Sequence, residues 1–156
     1  MCLHRYWQDQ NVIDTMFDII AVDISGRHME NDEYFMVCAA VSFSISPEHI
    51  DKTHKINIRH FISKNAPELT DVVTMVEKTV EGLDPQATIV MEAGDMYNRP
   101  QWLAASMFSR DFKYQESLGE RRAIEIAHHI SVSARRLLKN KCSFNLQSDR
   151  ENIITK

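Results

Sequence analysis

At 156 residues the chain has the length of one domain, able to bury roughly two thirds of the surface its unfolded form would expose. Its 44% hydrophobic and 26% charged content is ordinary for a globular protein, and 4 glycines with 4 prolines leave little material for a linker, so no internal boundary is expected. A net charge of −4 excludes a protein that works mainly by coating nucleic acid, because counterion release needs dense Lys and Arg; a local basic patch stays open.

Residues 1–15 are polar with scattered aromatics and follow neither the helical nor the strand period, so they are expected to form a loose extension, unless Tyr6 and Trp7 dock onto the domain. The opening MCLHRYWQDQ has no apolar stretch of the secretory kind, and no run approaches the roughly 18 to 20 apolar residues that span a bilayer. No membrane partner and a cytoplasmic location are therefore expected. FDIIAVDI at 17–24 is a short β-branched run suited to a strand covered on both faces. The polar turn SGRHMENDE follows, and YFMVCAAVSFSI then predicts a second strand that closes an antiparallel hairpin.

Residues 46–64 read two ways. Ser46 and Pro47 suit the N-cap and first position of a helix, whereas Ile56 and Ile58 alternate with polar neighbours as in a strand. The expectation is a short helical turn leading to an edge-like strand at 55–62, with one continuous helix as the alternative. Between Pro67 and Glu81, Leu69, Val72, Val73, Val76 and Val80 keep the spacing of an amphipathic helix, and Gly82 follows as a stop. ATIVMEA is a compact buried strand ended by Gly94 and Asn98-Arg99-Pro100. A short helix over 102–108 and a brief strand at 112–115 come next. The last helix, 118–139, carries Ala123, Ala127, Ile130, Ala134, Leu137 and Leu138 on one stripe, and residues 141–156 read as a polar tail beyond a domain spanning 16–140.

These elements predict a single α/β domain on a mixed five-stranded sheet with an N-terminal antiparallel hairpin and flanking helices. That order resembles the ribonuclease H fold over residues 17–140, and AVDISGRH followed by EYFMVCAAV is similar to an uncharacterised family of short archaeal proteins, a domain of unknown function. The first resemblance implies a metal-dependent nuclease or phosphodiesterase. In such enzymes, carboxylates from neighbouring elements hold two divalent ions that activate water and stabilise the leaving oxygen. Asp23, near the end of the first strand, stands where the family pattern places its first ligand; Glu92 ends ATIVMEA, and Asp95 is in reserve.

The final helix should supply a third acid. At 100° per residue, Glu120 lies about 50° from the centre of the apolar stripe and can face the sheet, while Glu125 lies nearly opposite and should face water. The resulting expectation is Mg²⁺ or Mn²⁺ held by Asp23, Glu92 and Glu120, with Arg121 and His28 reaching substrate and nucleic acid as the partner. Local explanations compete: Ser117-Leu118-Gly119-Glu120 matches a capping box, Asp23 could serve a turn at Ser25 and Gly26, and His28 could be a plain surface histidine. Arg121, Arg135 and Lys139 share one helical face, which suits phosphate or simply water. The competing function is a non-catalytic interaction or oligomerisation module in which the sheet pairs with itself or a partner. Cys2, Cys38 and Cys142 are too dispersed for a disulfide framework or a CxxC metal site, and no P-loop, GxGxxG or GxSxG motif occurs.

Overall fold

The computed structural model describes the backbone of residues 16–154 and the side chains through Lys141, so the expectation for residues 1–15 lies outside the described residues. Five strands form one sheet in the order β3-β2-β1-β4-β5: β1 Phe17–Ser25, β2 Tyr34–Ile45, β3 Ile50–Ser63, β4 Thr88–Met91 and β5 Phe112–Tyr114. Strand β2 is antiparallel to both β1 and β3, while β4 is parallel to β1 and to β5.

The near-continuous apolar text of β1 and β2 is explained by layers on both faces. Ile20, Val22 and Ile24 face α1 (Leu69–Thr79), whose Val72 and Val76 are fully buried. Ile19 and Ala21 face α3 (Leu118–Ile154) and meet its Ala123, Ile124 and Ala127. Capping begins α1 where the Asp71 carboxylate accepts the Glu68 N–H at 2.8 Å, and Gly82 takes φ +80° in the turn that follows. A 3₁₀ turn at Ala93–Met96 and a short α2, Gln101–Ser106, connect β4 to β5.

Two expectations need correction. Residues 50–63 form one fourteen-residue edge strand, which contains the edge-like strand expected at 55–62 but replaces the helical turn expected before it and rules out the continuous-helix alternative. Ser46 closes the hairpin instead of capping a helix: its Oγ accepts the Glu48 and His49 N–H groups at 3.3 and 3.1 Å. The last helix also continues to Ile154 through most of the expected tail, since the segment has no Gly or Pro to stop it.

Candidate functional site

Along β1, alternate side chains face α3, and the row Ile19, Ala21 continues with Asp23, which is only 4% exposed. A buried carboxylate must be partnered. Ser131 Oγ of α3 donates to Asp23 Oδ2 at 2.6 Å, and His128 Nδ1 stands 3.2 Å from the same oxygen. Ser25 Oγ donates to the Ser131 carbonyl at 3.1 Å, which ties the end of β1 to the same helical turn. A cavity of about 290 Å³ opens beside Asp23, lined by Glu92, Ile124, Glu125, His128 and His129.

Glu92 directly follows β4, which runs parallel beside β1, so both acids lie toward the carboxyl ends of adjacent strands. Its carboxylate is exposed and receives Gln115 Nε2 at 3.4 Å. Asp95, in the 3₁₀ turn, pairs with Arg27 at 2.7 Å, and a second guanidinium nitrogen donates to its carbonyl at 2.8 Å. Despite that cation, burial and then the charge of Asp23 push the Asp95 pKa up to about 6, with Glu92 adding to the rise. Its Oδ2 is buried and accepts no hydrogen bond among the described residues. The loop continues through Tyr97 and Asn98, both left-handed at φ 54° and 55°, at a cost of roughly 1–2 kcal/mol per residue. Tyr97 is held by a hydrogen bond from its hydroxyl to the Pro67 carbonyl and by the Arg27 guanidinium 5.3 Å from its ring centre.

Glu120 does not join this group. It is buried, as its helical phase predicts, but in the first turn of α3, in a separate cavity of about 380 Å³ with Phe17, Asp18 and Thr88. The chain doubles back after Gln115, so the first turn of α3 sits over the start of β1. Eight more residues, about 12 Å of helix, separate Glu120 from the level of His128. There Glu120 performs the capping role: Ser117 Oγ accepts its N–H at 3.2 Å, and its carboxylate receives the Glu116 N–H, Ser117 Oγ and Lys113 Nζ. Burial lowers the Lys113 pKa, but the bond and charge of Glu120, helped by Glu116, outweigh it and hold the ammonium above its usual range.

Arg121 is exposed near that same end of α3. His28 is exposed and pairs with Glu30 at 2.9 Å. Arg135 and Lys139, grouped with Arg121 by sequence, instead bind Glu30 and so pin the β1–β2 loop to the helix. Cys38 is fully buried, and its thiol is pushed up to about 12, chiefly by burial, which leaves it unreactive.

The residues that sequence reasoning missed are Glu125, His128, His129 and Ser131. A signal existed: Ile124 and Ser131 are buried while Leu137 is 73% exposed, so the true apolar face is rotated by roughly 45° toward the His128 flank. Glu125 is exposed as expected, yet it stands at the mouth of the cavity. Among the described residues, no three His, Cys, Asp or Glu side chains converge closely enough to hold a metal ion.

A mixed five-stranded sheet with helices on both faces defines a single α/β domain, with its cavity of acids and imidazoles at the carboxyl end of β1 and β4. The chain belongs to an archaeal family, DUF2209, described as "uncharacterized protein conserved in archaea"; the match spans residues 20–139. It is 33% identical over 120 residues to "Uncharacterized protein MJ0095" of Methanocaldococcus jannaschii, covering 76% of this chain and 94% of that protein. No solved structure matches the chain. Among the described residues, no helix is long and apolar enough to cross a membrane.

Proposed function

We propose that this protein is a metal-dependent phosphodiesterase of the nuclease type, built on a ribonuclease H-like sheet. The strand order β3-β2-β1-β4-β5, with β2 antiparallel to both strands beside it, supports the fold assignment. The observation that carries the activity is Asp23: a buried carboxylate at the end of an apolar strand, beside a cavity rimmed by Glu92, Glu125, His128 and His129. Such crevices at the carboxyl ends of parallel strands are the usual ligand sites of open α/β sheets.

The donor types, though not their present spacing, suit a hard divalent ion. Carboxylate oxygens suit Mg²⁺, and the added imidazoles favour Mn²⁺. Asp23, Glu92, Glu125 and His128, which do not converge on one point among the described residues, would have to draw together to hold the ion, with Asp95 in reserve; a bound cation would offset the Asp23 and Glu92 charges that add to burial in raising Asp95. A divalent ion there would supply activation of water and stabilisation of the leaving phosphodiester oxygen. The chain's own part is to fix Asp23 through Ser131 Oγ at 2.6 Å, with His128 Nδ1 standing 3.2 Å from the same carboxylate oxygen.

The test is thermal denaturation of wild type and Asp23→Asn with and without Mn²⁺ or Mg²⁺, followed by a nuclease panel of single-stranded, duplex, hybrid and branched substrates. An ion at 100 times its Kd stabilises the folded state by about 2.7 kcal/mol, and Asp23→Asn should lose that response. Identical melting of both proteins with and without ion would remove the metal from the proposal.

A second reading, the non-catalytic module, is favoured by β3. This edge strand presents Ile56, Ile58 and Ile62 on the α3 side with 47%, 43% and 54% of their surface exposed. An unpaired edge with an apolar face suits pairing with another chain. Sedimentation of Ile58→Lys beside wild type separates the two: self-association lost in the variant, with no metal response in either protein, would favour the module.

A further inference from the structure

We propose that the candidate site takes a single-stranded nucleic acid, with Trp102 as the base-stacking platform and Arg122 and Arg136 of α3 as phosphate contacts. This inference rests on the nuclease reading and names its substrate class. Trp102 is 74% exposed, although an indole is among the side chains that gain most from burial. It is not a stray surface group on a loose loop. It lies in the first turn of α2, whose Ala104 is fully buried.

Neighbouring contacts fix that turn to the rim of the sheet. Gln101 Oε1 accepts the Tyr114 N–H at 3.2 Å, and the Tyr114 hydroxyl donates to the Arg99 carbonyl at 2.7 Å. One residue further on, Gln115 Nε2 reaches Glu92. The turn that carries the indole therefore sits at the end of the sheet where β4 gives way to Glu92. The exposed Arg99 and the partly exposed Tyr97 lie between them along the chain.

On the other side of the cavity, α3 carries Arg122, His129 and Arg136 at intervals of seven residues, which keeps them on one line with a drift of about 20° per step. All three are exposed, and His129 itself lines the cavity. Neither arginine makes an ion pair among the described residues, whereas Arg135, nearly a third of a turn away, is bound to Glu30. Arg122 and Arg136 are thus open cations on the helical line that His129 extends into the cavity. With two phosphate contacts and a net charge of −4, affinity must come largely from stacking, a mode available only where bases are unpaired.

The experiment uses the full chain carrying Trp7→Phe, so that Trp102 is the one tryptophan, in a chelator so that nothing is cleaved. An oligodeoxythymidine of about twenty nucleotides, long enough to exceed a typical single-strand site, should quench Trp102 fluorescence. By anisotropy, Trp102→Ala should bind roughly 5- to 100-fold more weakly, with Trp102→Phe restoring most of the loss. The logarithm of the affinity should fall with log salt at a slope of about −1.4, and Arg122→Glu with Arg136→Glu should bring that slope toward zero. A matched duplex should bind more weakly than the single strand and show little quenching. Unquenched Trp102, or equal affinity in Trp102→Ala and its parent, would overturn the proposal; so would a protein ligand at Trp102 with no oligonucleotide bound. Binding without Mn²⁺-dependent cleavage would sink the nuclease reading alone, and cleavage indifferent to Trp102→Ala would sink this inference alone.

Discussion

Replacing Glu120 by alanine should destabilise the fold and leave any metal response intact, the opposite of the outcome expected for Asp23→Asn. The carboxylate is 9% exposed and receives three donors: Lys113 at 3.0 Å, the Glu116 N–H at 3.2 Å and Ser117 Oγ at 3.1 Å. Hydrogen bonds to a charged group contribute about 1.5–3 kcal/mol each, while the cap bond from the residue-120 N–H to Ser117 Oγ survives the substitution. Lys113 keeps 30% of its side chain in water, so its share is discounted by screening and it rehydrates when its partner is lost. The net loss should be about 2–4 kcal/mol, which for a domain of this size lowers Tm by roughly 5–15 °C. Glu120→Gln, which still accepts the Glu116 N–H, should lose less. The assay is urea and thermal denaturation of wild type and both variants, repeated with Mn²⁺. If Glu120→Ala melts like wild type but no longer gains stability from Mn²⁺, Glu120 is a ligand and the Asp23 cavity is the wrong site.

Two further outcomes follow from the same geometry. With its folded pKa at about 6 against an ordinary 3.8, Asp95 keeps its proton in the folded state over a range where the unfolded chain releases it. Its contribution is therefore fully favourable below about pH 4 and is lost as pH rises through 6, a span of about 3 kcal/mol. Asp95→Asn should flatten that part of the stability–pH curve measured in a chelator, and an unchanged slope would refute the assignment. At Gly26, φ is +85° and an added Cβ would lie 2.2 Å from both the Phe35 carbonyl and the Arg135 guanidinium. Gly26→Ala should cost about 2–4 kcal/mol through the left-handed backbone and the displaced Arg135–Phe35 bond, and a loss below about 1 kcal/mol in urea unfolding would show that the loop yields freely.

Much of the fold was legible because β1, β2, α1 and β4 each bury a pattern that is local in the chain. Strand β3 was legible only over 55–62 and beside a helical alternative, because its α3-facing isoleucines are left uncovered and its other face carries Lys55, Asn57 and Arg59. Asn57 has a role that no local pattern announces: its amide donates to the Thr79 and Glu81 carbonyls at the end of α1. For the site, Asp23 and Glu92 were legible as acids closing apolar strands. Glu120 illustrates the limit. Its helical phase is a local property and was read correctly, whereas its axial position depends on how residues 115–117 return across the sheet, which spacing alone does not encode. His128 and Ser131 were hidden for a related reason, since their partner lies 105 and 108 residues away.

That difference in sequence separation also indicates which acid calls for a functional explanation. Glu120 is accounted for within seven residues of itself: Lys113, Glu116 and Ser117 are all local, and together they start a helix. Asp23 starts nothing and caps nothing. It occupies the third place in a row whose first two members, Ile19 and Ala21, are buried beneath α3, where an apolar side chain would have continued the core. Aliphatic burial there would contribute roughly 1.5–3 kcal/mol, while a carboxylate forgoes that gain and must be compensated by Ser131. Chains accept such a local loss where activity depends on it. With an open cavity, Glu92 and His128 on its exposed side, Asp23 is where the fold gives up packing, and that loss is the ground for placing the proposed site there.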